Sequence, residues 1–179
     1  MADSTEAIAR VRRWVKEIVI GWNLCPFAKR EFVSERIQFQ VSQATDQESL
    51  LLDLATEIER LDREQKVETT LLIHPRVLSD FADYNDFLAL ADELLAELER
   101  EGVYQIASFH PDYQFHGTEP GDPENYTNRS PYPLLHLLRE ESMSLAVEKY
   151  PDVSEIPENN IELMNSYGKE KLVRVFDDL

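Results

Sequence analysis

A chain of 179 residues, 42 % hydrophobic and 30 % charged, has the balance of a folded globular protein and the length of one α/β-sized domain. Thirty-five acidic residues against eighteen basic ones give a formal net charge of −17, a repulsive field that argues against nucleic-acid and anionic-membrane partners. No apolar run approaches the roughly 20 residues that span a bilayer. The acidic start Asp3-Ser4-Thr5-Glu6 is unlike a secretory leader and the single cysteine makes no internal disulfide, so the cytoplasm is the expected compartment.

Ile8, Val11, Val15, Ile18 and Trp22 recur at the three-and-four spacing of one helical face, with charged residues between them. Asp3 and Glu6 offer its capping box, and Pro26 opposes continuation past Cys25. Ile37, Phe39 and Val41 alternate with Gln38 and Gln40, the period of a half-buried edge strand. Thr45 and Glu48 form a second capping box, followed by the stripe Leu51, Leu54, Ile58 and Leu61. The β-prone run 69–73 has the continuous apolar character of a strand covered on both faces. Asp83 opens a third helix that buries Phe87, Leu90, Ala91, Leu94 and Leu98, and Gly102 is placed to end it. Residues 104–109 read as a third strand. Pro133 fits the first turn of a fourth helix carrying Leu134, Leu137 and Leu138, and a last short helix from about 158 to 167 stops at Gly168.

This order predicts a small three-layer α/β sandwich around a mostly parallel three-stranded sheet, in a single domain over residues 1–179. In such sheets ligands bind beyond the carboxyl ends of the strands, where His74 and His110 both fall. Each alternatively caps its strand with a side-chain hydrogen bond. The stretch 111–132 then runs without periodicity, and loops this long are functional or disordered. Its Tyr113, Phe115, Tyr126 and Tyr132 favour a packed loop over a linker.

Asn128, Arg129 and the start of the fourth helix offer a cradle for phosphate or carboxylate, unless Arg129 pairs with Asp122 or Glu124. On that helix His136, Arg139 and Glu140 share a face, as a carboxylate-oriented base or as a surface ion-pair ladder. Cys25 is an inert thiol if it ends the first helix, and an activated one if it caps a new helix beginning at Pro26. His110, Asp112 and His116, with His74 or Cys25, have a weak metal-ligand spacing. With five glycines the chain has no phosphate-loop or dinucleotide fingerprint, so the residues specify no cofactor.

The segments 23–28 (Asn-Leu-Cys-Pro-Phe-Ala), 108–115 (Ser-Phe-His-Pro-Asp-Tyr-Gln-Phe) and 128–140, from Asn128-Arg129-Ser130-Pro131 to His136-Leu137-Leu138-Arg139-Glu140, resemble the bacterial family known as domain of unknown function 1415. The resemblance runs along nearly the whole chain. It implies a single cytoplasmic domain and no particular reaction.

The expectation is therefore a small-molecule enzyme acting on an anionic, phosphate- or carboxylate-bearing substrate at the carboxyl rim of the sheet. His74, Asn128, Arg129 and Arg139 would bind it, His110 and His136 would serve as acid and base, and Cys25 as nucleophile. The competing expectation is a noncatalytic module that grips a protein or metabolite with the 111–132 loop.

Overall fold

The computed structural model describes residues 4–150 and 152–179. The capping position expected at Asp3 lies outside them. Helix α1 (Ser4–Trp14) passes directly into a π-helical segment, Val15–Ile20, and Ala7, Val11, Trp14, Val15 and Ile18 are buried along the pair. The widened turn puts the Gly21 N–H on the Lys16 carbonyl at 3.1 Å. A side chain at position 21 would run into the Glu17 carbonyl, so glycine is required there by close approach.

After the short α2 (Ala28–Val33) come β1 (Ile37–Val41), α3 (Gln47–Arg63), β2 (Thr69–Ile73), α4 (Phe81–Glu97) and β3 (Tyr104–Phe109). The caps sit close to where the sequence puts them but on other residues. Asp46, not Thr45, accepts the Ser49 N–H at 2.8 Å, and Asp80 accepts those of Ala82 and Asp83 at the head of α4. Helix α4 ends at Glu97, before Gly102, which instead turns the chain into β3 with φ +74°. Helices α5 (Glu140–Lys149), α6 (Ile156–Tyr167) and α7 (Lys169–Asp177) complete the chain, with Gly168 at φ +73° between the last two.

Two expectations are corrected. Residues Leu134–Arg139 form a strand, β4, and not a helix; the sheet accordingly has four strands in the order β1-β2-β4-β3. Only the β1–β2 pairing is parallel, and β4 runs antiparallel to both of its neighbours, so the sheet is mixed and its pairings mostly antiparallel. The cause of the misreading is physical. A central strand covered on both faces is apolar at nearly every position, so Leu-Leu-His-Leu-Leu fits helical spacing as well as it fits a strand.

Helices lie on both faces of this sheet. Phe39, Val41, Leu71, Ile73 and Leu134 pack with α1, Met164 of α6 and Leu172 of α7. Leu72, Leu135, Leu137 and Tyr104 pack with the inner stripes of α3 and α4. No helix among the described residues is long and apolar enough to cross a membrane.

Arg139 joins two of these layers. Its Nη2 donates to the carbonyls of Leu61 (2.7 Å) and Val67 (2.9 Å), and its Nη1 donates to the Tyr104 hydroxyl at 3.4 Å. The guanidinium thus closes the last turn of α3 over the sheet. Replacing Arg139 with Met leaves these carbonyls without a donor and should cost about 2–4 kcal/mol in urea unfolding, with Lys recovering part of the loss.

Candidate functional site

Alternation along the strands decides which candidate side chains meet. Leu72 and Ile106 belong to the core under α3 and α4, and counting by two from them carries His74 and His110 to that same side of the sheet. Both histidines are fully buried. Tyr84 of α4 lies between them, with its ring centroid 5.8 Å from that of His74 and 5.1 Å from that of His110.

The hydrogen-bond partners fix both tautomers. The Asp112 N–H donates to Nδ1 of His110 at 3.0 Å, so this ring carries its proton on Nε2 and donates it to the Leu78 carbonyl at 3.1 Å. His74 faces the Val77 carbonyl through Nδ1 at 3.0 Å and must donate from there. Its Nε2 is left buried with no hydrogen-bond partner among the described residues. Together the two imidazoles hold the 75–80 segment, in which Leu78 sits in the left-handed region at φ +59°. A leucine adopts that conformation only where its surroundings impose it.

Burial, which disfavours a charged ring, pushes the pKa of His74 down to about 4, and the nearby His110 acts in the same direction. Burial likewise lowers that of His110, while Asp112 and Asp80 work against the shift.

His136 lies apart from this pair. Because position 136 is in a strand, it and Arg139 point to opposite faces, and the helical triad with Glu140 does not form. The single hydroxyl proton of Thr69 goes to the Leu137 carbonyl, so His136 donates from Nε2 to Thr69 Oγ1 at 2.8 Å. Burial takes its pKa to about 4 as well.

Cys25 combines the two expected environments. Its sulfur meets the N–H groups of Phe27 and Ala28 at the start of α2, which favour the thiolate, yet burial outweighs them and pushes the thiol up. Among the described residues, the hydrogen-bond and ring partners of Cys25, of His136 and of the His74–His110 pair have no residue in common. Among the described residues no group of three or more His, Cys, Asp or Glu is arranged to hold a metal, so the weak spacing of His110, Asp112 and His116 is not assembled into a centre.

The 111–132 loop is packed against itself. Asn125, fully buried, accepts from the Phe115 N–H (2.9 Å) and the Thr118 hydroxyl (2.9 Å), and donates to the Glu119 carbonyl (2.8 Å). Asn128 ties the returning chain to β3: its Nδ2 donates to the Ser108 carbonyl at 3.1 Å and its own carbonyl accepts the His110 N–H at 3.2 Å. Arg129 donates to the carbonyls of Tyr113 (3.4 Å) and Pro120 (2.6 Å) and lies 4.2 Å over the Tyr126 ring. The alternative pairing with Asp122 or Glu124 is not formed, since the Asp122 carboxylate caps the Glu119 N–H.

Past the end of β3 this loop forms one wall of a cleft of about 250 Å³. Pro111, Asp112 and Arg129 line it from the loop, Arg10 from α1, and Phe176 and Asp177 from α7. Arg10 donates to the main-chain oxygen of Leu179 at 3.1 Å and to the Tyr132 hydroxyl at 3.3 Å. Neither Arg10 nor Arg129 has an Asp or Glu side chain within 4.0 Å among the described residues.

A model of the family described as Protein of unknown function (DUF1415) matches residues 6–174. The chain belongs to the DUF1415 family. No curated protein and no solved structure gives a significant match. In this DUF1415 chain the structure brings together two of the expected site residues, His74 and His110, and places Arg129 at the cleft. It keeps His136, Arg139 and Cys25 elsewhere.

Sequence reasoning missed Arg10, Asn125 and the α7 wall. Arg10 reads as an ordinary polar-face residue of an amphipathic helix, and nothing in its spacing marks it. Asn125 had one faint signal, the Asp122-Pro123 start of the 3-10 turn Pro123–Asn128 that carries it.

Two outcomes follow. Asn125→Ala removes three hydrogen bonds from a buried hub and should cost roughly 2–3 kcal/mol, with faster proteolytic nicking between residues 111 and 124. Acidification should destabilise the fold between about pH 6.5 and 4, because the unfolded chain there takes up protons that the buried histidines refuse. His74 alone accounts for about 3 kcal/mol, fully present above pH 6.5 and lost as the pH falls. Glu57, whose carboxyl burial pushes up, acts in the opposite sense, so the check is the slope of unfolding free energy against pH, which should be shallower in His74→Asn.

Proposed function

We propose that this protein binds a small phosphate- or carboxylate-bearing molecule in the cleft between the 111–132 loop, α1 and α7. One observation carries the reading: in a chain of net charge −17, two guanidinium groups line the same cleft, and among the described residues neither has an Asp or Glu side chain within 4.0 Å. Carboxylates are in wide excess, so two arginines that line one cleft without an Asp or Glu partner keep donors available to an anion from solution. Neither spends all of its donors within the protein, since Arg10 uses Nε and Nη1 and Arg129 uses Nε and Nη2.

The reading is one of binding. None of the four histidines lines the cleft, and His110 acts on it from behind, through the bond from Asp112 N–H that sets the position of the Pro111-Asp112 wall. Asn128 and His74 support the same wall from further back. An acid–base role for His136 or a nucleophilic one for Cys25 gains no support from their surroundings.

Titration with inorganic phosphate and with succinate, followed by calorimetry and by thermal unfolding, tests the proposal. At least one of them should raise the melting temperature. Arg10→Gln should weaken that binding by about tenfold or more, the scale of one lost charge-assisted contact, while leaving the unliganded melting temperature within a few degrees. Arg129→Lys should weaken it too, because a point charge cannot replace the planar fork. If neither anion binds, or if both bind as well to the Arg10 variant, the cleft is not the site.

A further inference from the structure

The same cleft carries charges of the other sign. Asp112 and Asp177 line it together with Arg10 and Arg129, and no Arg nitrogen of this set comes within 4.0 Å of a carboxylate oxygen of the set. Here the arginines are held back: Arg10 by the Leu179 oxygen and the Tyr132 hydroxyl, Arg129 by two carbonyls and the Tyr126 ring. Asp112 is held by its main chain, whose N–H is fixed on the His110 ring, and Asp177 by its place in the last turn of α7. The hollow therefore keeps positive and negative groups apart, which leaves room for a ligand that answers both.

Resting on the binding reading above, we infer that the ligand is a small zwitterion whose carboxylate or phosphate lies between Arg10 and Arg129 while its ammonium group faces Asp112 and Asp177. A cleft of about 250 Å³ is smaller than the ~300–1,000 Å³ pockets that enclose drug-sized ligands, so the occupant is of amino-acid or aminoalkyl-phosphate size. The ring of Phe176, packed edge-on against the buried Tyr126 at 5.0 Å between centroids, is the apolar surface at the cleft that a short carbon chain would meet. Specificity then comes from the second charge: a plain anion meets Arg10 and Arg129 but leaves Asp112 and Asp177 unanswered.

The test compares matched probes that differ only in the ammonium group. Glutamate is set against glutarate, and phosphoethanolamine against ethyl phosphate, by calorimetry at low and moderate salt. At least one ammonium-bearing member should bind tenfold or more tightly than its partner, and which pair shows the larger gap tells carboxylate from phosphate. In Asp112→Asn with Asp177→Asn the gap should close, while binding of the plain anion stays equal or improves. Each single variant should close it in part, which guards against misfolding of the double one.

Equal binding within both pairs, or preference for the plain anions, overturns the zwitterion while the anion site stands. A gap that persists in both Asp variants also overturns it. Failure of all four probes and of inorganic phosphate removes the anion site itself.

Discussion

The placement of β4 between β2 and β3 is the constraint on which this structure rests. A strand in that position must pair its main chain on both edges and bury side chains on both faces, and Leu134, Leu135 and Leu137 are fully buried accordingly. Antiparallel pairing to β3 obliges the chain to turn back beyond Phe109, and the residues that do so are the 110–133 connection. Where the ladder opens at its end, the Tyr84 hydroxyl takes over, accepting the Phe109 N–H at 3.0 Å and donating to the Leu134 carbonyl at 2.8 Å. A side chain from α4 thus stands in for a rung, so that the strands part without stranding polar groups.

That opening makes the cleft wall. The connection has too few apolar residues for a core of its own, and it is held instead by side-chain to main-chain bonds from Asn125, Asn128 and Arg129. Behind it two neutral imidazoles bond to carbonyls of the 75–80 segment, and one of them also receives the Asp112 N–H. Neutrality is part of the device: a second ring proton on His110 would remove the lone pair that Asp112 needs. The wall is thus braced from behind by neutral groups and presents Asp112 and Arg129 to the cleft.

Much of this was readable in advance where burial is one-sided. The alternation of Ile37 to Val41, the stripe from Leu54 to Leu61 and the stop at Gly168 each reflect a single local period or a single backbone requirement. The segment 134–139 was not readable, because an all-apolar run erases the period that separates helix from strand. That one ambiguity displaced the candidate site as well. It put His136 and Arg139 on a common face, whereas the strand sends one to Thr69 and the other to the carbonyls closing α3. The importance of the 111–132 loop was visible from its length and aromatics, but its bonds were not, since Arg129 chose carbonyls over nearby carboxylates. Arg10 and Asp177 join the cleft from segments far apart along the chain, and no local pattern announces such a meeting.

The strand order also bears on how the protein comes into being. During synthesis β1 and β2 emerge early and can pair, but β3 has no neighbour to join until residues 134–139 arrive, because β4 is the only link between it and β2. For that interval the nascent chain carries an open edge on β2 and a lone β3, the kind of unpaired backbone that recruits chaperones or stray strands. Closure of the whole sheet is thereby deferred to the arrival of residues 134–139, the last strand to be made and the one that joins its two neighbours.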